Sequence, residues 1–363
     1  MSANGTLGFA LVGCGRIAAK HAQVLGGGEI PGARLVAVCD IAPKRTQVMG
    51  VKHGVPHFAD MHEMMEARDD EIDVVCVLTE SGRHAEHTMA LSRHGKHIVV
   101  EKPMALTLPD ADAMIAACDG AGIRLFVVKQ NRYNLPVVKM REALEAGRFG
   151  ELVMGTVRVR WSRDQTYYDQ DAWRGTWALD GGVFTNQASH HIDLLEWCMG
   201  PPATVFTRTR TALVDIESED TGVAIITFKS GALGVVEATT ATRPTDLEGS
   251  LSLLGSRGNV EIAGFAVNQM RQWNFTESLP GDGEVLKKYS ENPPNVYGFG
   301  HAAYLRHVVE VLGNGAPSLV DGPEGRKSLE LIHAIYQSAE TGTEITIGPY
   351  SHSGKLGRKW QQQ

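Results

Sequence analysis

The chain has 363 residues, 43% of them hydrophobic and 21% charged, a composition that excludes a fibrous or disordered protein. At roughly 150 residues per domain, that length makes two domains. Thirty-five Lys and Arg against 42 Asp and Glu leave a net charge of −7, which opposes nucleic acid or an anionic membrane surface as partner.

The first third alternates strand and helix. Apolar runs at Leu7–Gly13, Ala33–Asp40, Asp73–Leu78, His97–Glu101 and Arg124–Val128 read as strands. Helical stretches lie between them, near 17–25, 42–54, 60–67, 83–93 and 108–121. Strands that are apolar throughout and separated by helices predict a parallel sheet covered on both faces, hence a doubly wound Rossmann domain over residues 1–129. After a further helix near 135–146, the text from Leu152 to Gly264 turns into short alternating segments joined by glycine turns. Helices are expected at 301–312 and 323–341, and residues 353–363 read as a tail. The fold class is therefore α/β: an N-terminal Rossmann domain, then an α+β domain over 130–363 with a large, mainly antiparallel open sheet.

Five dispersed cysteines with no CxxC pair predict buried, reduced thiols and a cytoplasmic protein. No basic leader and no apolar run of about 18 residues is seen, so no membrane segment is expected.

Gly13-Cys14-Gly15-Arg16-Ile17-Ala18 is a G-x-G-x-x-A loop placed between a strand and a helix. That context lets backbone N–H groups at a helix start take a pyrophosphate, whereas a purely structural turn needs none of the surrounding pattern. Asp40 closes the second strand, where an acid accepts ribose hydroxyls and repels a 2′-phosphate, favouring NAD over NADP. Glu101-Lys102-Pro103 follows another strand, placing Lys102 at the carboxyl edge of the sheet; a surface lysine paired with Glu101 is the plainer reading.

Residues 158–177 pack four arginines and five aromatics. Arginine forks suit a carboxylate or diphosphate, which makes Arg174 the first anion-contact candidate, with Thr176 beside it and Tyr168 and Tyr167 as weaker ones. The competing reading is a strand face whose arginines pair with Asp164, Asp169 and Asp171. A glycine-interrupted loop before a helix offers Tyr297 and His301, either to a phosphate or uracil or to domain packing. The histidine pair His84/His87 and the pair His190/Asp193 lack a third convergent ligand, so no metal is expected.

The glycine loop, Glu101-Lys102-Pro103 and the run Gly181-Gly182-Val183-Phe184-Thr185-Asn186-Gln187-Ala188-Ser189-His190-His191-Ile192-Asp193 together resemble the Gfo/Idh/MocA family of oxidoreductases across essentially the whole chain. The resemblance implies an NAD(P)-binding Rossmann domain, a second domain whose open sheet mediates dimers or tetramers, and oxidation or reduction of one carbinol of a sugar or cyclitol. It implies Lys102 and His190 as catalytic residues. Asn186 stands where the family usually has an aspartate, and it can orient a substrate or His190 without holding a proton. His190 suits the base role because an imidazole titrates near neutrality. Thr79, Glu80, His84, Glu101 and Lys102 fall at cofactor-contacting positions, with Gly13, Gly15, Arg16, Ile17 and Asp40.

Thr79-Glu80-Ser81-Gly82, Lys129-Gln130-Asn131-Arg132-Tyr133-Asn134 and Asn186-Gln187-Ala188-Ser189-His190-His191 are similar to one branch, the UDP-N-acetyl-2-amino-2-deoxyglucuronate 3-dehydrogenases of lipopolysaccharide sugar biosynthesis. That resemblance adds Asn131 to the cofactor set and implies NAD as cofactor and a UDP-linked 2-acetamido uronate as substrate. It leaves open whether 2-oxoglutarate recycles the NADH, and it implies a homotetramer or homodimer. The alternatives are a dehydrogenase of an inositol or free sugar and a non-catalytic NAD-sensing protein of the same fold.

Overall fold

The structure is a computed structural model and describes residues 5–291, 293, 298–348 and 351–358. Tyr297, one of the candidate substrate contacts, lies outside the described residues.

The chain divides into two compact units: Met1–Lys129 with His301–Arg326, and Gln130–Gly300 with Lys327–Gln363. In the first unit, β1 (Leu7–Val12), β2 (Ala33–Cys39), β3 (His57–Phe58), β4 (Val74–Val77), β5 (His97–Val100) and β6 (Leu125–Val127) form a sheet in the order β3-β2-β1-β4-β5-β6. All its neighbouring strands run parallel. Five helices intervene: α1 (Arg16–Gly26), α2 (Pro43–His53), α3 (Met61–Ala67), α4 (His84–Ser92) and α5 (Leu108–Gly120). Every residue of β1, β4 and β6 is buried, as apolar runs covered on both faces require. The strand order reverses between β1 and β4, the switch point where such sheets bind ligands.

The second unit opens with α6 (Leu135–Glu145), β7 (Leu152–Arg160), the short α7 (Gln165–Asp169) and α8 (Ser189–Met199). There follow β8 (Pro202–Arg210), β9 (Thr221–Phe228), β10 (Leu233–Thr239), β11 (Glu248–Gly255), β12 (Gly258–Ala263), β13 (Gln269–Phe275) and α9 (Val285–Lys288). The chain ends with α10 (Gly300–Asn314), α11 (Gly322–Thr341) and β14 (Ile345–Thr346). The sheet order is β13-β12-β11-β7-β10-β9-β8-β14. Only the β7–β10 pair is parallel, so the sheet is mainly antiparallel. β9 and β10 alternate buried and open residues, as strands with one packed face should.

The sequence reading differs from this fold in several places; β3, β13 and β14 were not anticipated, and two further differences bear on the site. The C-terminal part is not one uninterrupted domain, because residues 301–326 belong to the first unit. There Val127 donates its N–H to the Val320 carbonyl (2.7 Å), Phe126 bridges to Asp321, and Arg326 pairs with Asp112. The helix α8 was not anticipated either: nine of its eleven residues are buried, leaving no polar face to set a helical period.

All five cysteines are free and buried. Burial pushes the thiols up, to about 12 for Cys14, Cys39 and Cys198 and about 11 for Cys118, so they stay protonated and act as small hydrophobes. Among the described residues no helix is long and apolar enough to cross a membrane.

Candidate active site

The first unit holds the glycine loop at the carboxyl end of β1. Gly13 has φ +98°, and a Cβ there would lie 2.7 Å from the Leu78 carbonyl, so only glycine fits. Gly15 is different: a Cβ on it would meet nothing within 4 Å. Protein packing does not demand a glycine at 15, whereas a pyrophosphate approaching the backbone does. The helix α1 that follows has no capping side chain and no acid in its first turn, so its first N–H groups and positive end stay available to an anion. Arg16 is exposed and Ile17 half-buried. Asp40 accepts from Cys14 N (2.7 Å) and Ala42 N (2.8 Å), which fixes its carboxylate against the loop. These residues fit a dinucleotide.

At the end of β5, Glu101 is 5% exposed and its Oε2 accepts the Lys102 backbone N–H at 3.1 Å. His21 of α1 reaches its Oε1 at 3.0 Å, and His301 of α10 stands 3.9 Å from the same oxygen. Burial alone would raise the Glu101 carboxyl, but the hydrogen bond from His21 and the nearby His301 imidazole outweigh it and hold it well below the usual range. His301 itself is pushed down by burial, so a charged carboxylate sits between imidazoles. Glu101 therefore braces the lysine's backbone, and His301 is fully buried with its Nε2 turned toward Glu101 at 3.9 Å, too far for a hydrogen bond.

The three ligand atoms of His21, Glu101 and His301 lie within 4.8 Å of one another, which would suit a metal by residue type. Both carboxylate oxygens are already engaged, one by Lys102 N and one by His21. His84 is also buried, with its ring nitrogens on the carbonyls of Pro103 (2.7 Å) and Thr79 (3.0 Å), and so ties the ends of β4 and β5 together. Thr79 Oγ1 meets His87 Nδ1 at 2.9 Å, and Thr79 and Glu80 are half-buried.

The second unit holds the other half of the candidate set. Gly181 and Gly182 lead into a π-helical turn, Val183–Gln187, and then into α8. From Asp180 to Leu195 every residue is buried except Asn186, which is half-buried. His190 is 8% exposed, and its Nε2 lies 2.9 Å from Gln130 Nε2. With Gln130 donating, a neutral ring carries its proton on Nδ1. Gln130 Oε1 has no hydrogen-bond partner, and turning the carboxamide over would move that proton to Nε2. One amide thus selects the tautomer of His190. Asn131, 7% exposed, shares the 3₁₀ turn of Gln130.

Beneath the π-helical turn, Glu219 Oε1 accepts from Phe184 N (3.1 Å) and from the Tyr336 hydroxyl (2.9 Å), and Tyr336 in turn accepts from Thr185 Oγ1 (2.9 Å) and Gly182 N (3.1 Å). A Cβ on Gly182 would run into the Glu219 carboxyl, so a glycine is required for this closeness. Burial pushes Glu219 up to about 7. A carboxyl raised in the folded state stabilises it fully below the unfolded value. That contribution fades as pH rises from about 4.5 to about 7, a loss on the order of 3 kcal/mol. Glu219→Gln should flatten the Tm of the protein across this window and make it more stable than the parent at pH 8. Parallel Tm–pH curves for the two proteins would contradict this.

The arginine and aromatic segment is more internally paired than its composition suggested. Arg160 forks onto Glu237 (2.7 and 2.8 Å) and reaches Glu248, Arg158 reaches Glu248, and Arg163 pairs with Asp246. Of the acids proposed as partners from sequence, Asp171 is used, by Arg174 at 3.0 Å. The Arg174 side chain is 9% exposed, lies over the rings of Tyr167 and Trp173, and donates to the Tyr167 hydroxyl at 2.7 Å. Tyr168 is 8% exposed with its hydroxyl on Thr240, and burial pushes it up to about 12. Thr176 Oγ1 donates to the Trp173 carbonyl. Sequence reading missed His21, Gln130, Glu219 and Tyr336, whose roles rest on partners distant in the chain, and Asp180, whose partners Gly175 and Asn186 are near. Asp180, directly before the paired glycines, carried the one local signal.

Two family models match the chain. One, described as the oxidoreductase family with an NAD-binding Rossmann fold, covers residues 7–129; the other, the family's C-terminal alpha/beta domain, covers residues 141–347. Among solved structures, the WlbA dehydrogenase from Bordetella pertussis in complex with NADH and UDP-GlcNAcA is 41% identical, with TM-score 0.90 over 95% of this chain and 99% of that one. The WlbA dehydrogenase from Chromobacterium violaceum, with the same two ligands, is also 41% identical, with TM-score 0.89 over 95% of this chain and 97% of that one. Myo-inositol 2-dehydrogenase of Thermotoga maritima is 29% identical over 93% of this chain and 97% of its own.

Proposed function

The chain belongs to the Gfo/Idh/MocA oxidoreductase family, and from that premise we propose that it is an NAD-dependent dehydrogenase acting on the C3 hydroxyl of UDP-N-acetyl-2-amino-2-deoxyglucuronate, which it converts to the 3-keto sugar. The observation that carries this reading is its likeness over nearly the full chain to dehydrogenases whose structures hold NADH and UDP-GlcNAcA, at higher identity than to the inositol enzyme.

NAD, when bound, supplies the hydride acceptor. The chain's residues manage the rest. Lys102 donates to the reacting oxygen and stabilises negative charge as it develops. His190 takes the hydroxyl proton on Nδ1, which requires the tautomer with its proton on Nε2 and the Gln130 carboxamide turned so that its oxygen accepts that proton. Asn186 orients the sugar or His190. Asp40 receives the adenosine ribose. Arg174 and Thr176 stand for anionic and hydroxyl groups of the nucleotide sugar.

The outer face of the second sheet supports a homo-oligomer, since Val223, Ile225 and Leu233 share it and are 45%, 52% and 48% exposed.

Substrate class is tested by thermal shift with NADH present. UDP-GlcNAcA should raise the Tm, while myo-inositol and D-apiose at equal concentration should not; the reverse ranking would favour a free cyclitol or sugar. Cofactor choice is tested by Asp40→Ala. The ratio of kcat/KM with NAD to that with NADP should fall at least about tenfold, because the carboxylate that repels a 2′-phosphate is gone. An unchanged ratio would contradict the assigned role of Asp40.

A further inference from the structure

We propose that Asp180 is a positioning residue that holds the Asn186 carboxamide in one orientation, so that Asn186 serves the site as a hydrogen-bond acceptor. The proposal rests on the dehydrogenase reading above for its consequence in turnover, though not for the pairing itself.

Asp180 is 2% exposed. Its Oδ2 accepts the Gly175 backbone N–H at 2.8 Å, and its Oδ1 accepts from Asn186 Nδ2. A carboxylate has no hydrogen to give, so the amide must turn its NH₂ toward Asp180 and its Oδ1 away. The neighbouring groups agree with that polarity. Gln187 Nε2 donates to Asn186 Oδ1 (3.0 Å) and lies 3.1 Å from the Tyr167 hydroxyl, which also receives Arg174. The chain of donors runs from Arg174 and Gln187 toward Tyr167 and Asn186, and ends on Asp180. An amide oxygen has two lone pairs, so Oδ1 can accept from more than one donor. Asn186 is also the one side chain of residues 180–195 that is not buried, which makes it the member of this network a ligand hydroxyl can reach.

The geometry predicts a reciprocal pair of substitutions. In Asp180→Asn, one acceptor oxygen must serve both the Gly175 N–H and the Asn186 NH₂, so one donor loses its partner and the amide at 186 is free to turn. In Asn186→Asp, two carboxyl groups face each other where an amide donor stood, so the pair either repels or must take up a proton. In the double variant Asp180→Asn/Asn186→Asp, the new amide accepts from Gly175 and donates to the new carboxylate, and an acceptor again faces outward.

The experiment is this double-mutant cycle, read by Tm at pH 7.5 and by kcat and KM for UDP-GlcNAcA with NAD. Asp180→Asn is expected to lower kcat about tenfold and Asn186→Asp about 100-fold, with KM changed much less. The swap should recover at least about tenfold in kcat over Asn186→Asp, and its Tm should exceed the value that additive single effects give. Additive Tm losses would overturn the pairing whatever the substrate proves to be. A swap that recovers Tm but not kcat would overturn the positioning role. A parent enzyme inert toward the nucleotide sugar would instead fail the substrate reading, and the Tm cycle would still decide the pairing.

Discussion

Replacing His190 by alanine should lower kcat by about 10²–10⁴, the range general-base removal usually costs, while the dissociation constant for NAD should change by less than about twofold. The two effects separate because the glycine loop, the open start of α1 and Asp40 lie in the first unit, and His190 lies on α8 of the second. Lys102→Ala should cost about 10²–10³ in kcat, the usual loss for one donor to a developing oxyanion. The Glu101 bracket fixes the backbone at 102, and removing the lysine side chain leaves that bracket in place. Gln130→Ala should produce a milder version of the His190 defect by releasing its tautomer. Near-parent turnover in both His190→Ala and Lys102→Ala would remove the mechanism.

A second large effect is expected on stability. Arg132 forks onto Asp193, Nε to Oδ2 at 2.9 Å and Nη2 to Oδ1 at 2.8 Å, with side chains 4% and 3% exposed. Its guanidinium also lies over Trp197, 4.9 Å from the ring centroid. Arg132→Met leaves the Asp193 carboxylate buried without its counterion, which costs about 3–5 kcal/mol. Replacing both members with apolar residues of similar volume should restore much of that loss, since neither charge then remains. Urea denaturation followed by tryptophan fluorescence reads both numbers, and a single-variant loss below about 1 kcal/mol would show the pair to be dispensable. Turnover should fall together with stability. Arg132 shares a 3₁₀ turn with Gln130, and Asp193 lies three residues beyond His190 on α8, so losing the ion pair should disturb the Gln130–His190 hydrogen bond between the same two elements.

What could be read from the sequence was local. The parallel sheet was legible because its strands are apolar on both faces and punctuated by glycines, and the loop at 13–18 because its spacing reflects backbone geometry. The return of residues 301–326 to the first unit was not legible. It depends on Val320 and Asp321 pairing at the edge of β6, contacts nearly two hundred positions away in the chain. The helix α8 hid because it is buried nearly all round, and β3 and β14 because two residues cannot display a period.

Candidate residues divided along the same line. Gly13 and Gly15 lie in the loop after β1, and the Asp40 carboxylate after β2 accepts the Cys14 N–H between them. Arg158, Arg160 and Arg163 find their acids on β10, on β11 and at Asp246, where cross-strand register decides the partner and chain proximity does not. The supporting network of Glu219, Tyr336 and Thr185 joins three separate segments, so residue types alone carried no sign of it.

The central claim is oxidation of a nucleotide sugar at C3. It is tested most directly by incubating the protein with UDP-GlcNAcA and NAD, with and without 2-oxoglutarate, and following both the absorbance at about 340 nm, where reduced nicotinamide absorbs, and the mass of the sugar. The account predicts a product lighter by two hydrogens with its new carbonyl at C3. Accumulating NADH would show release of the cofactor, and conversion only with 2-oxoglutarate would show recycling in place. An unchanged sugar under both conditions, with NAD demonstrably bound, would contradict it.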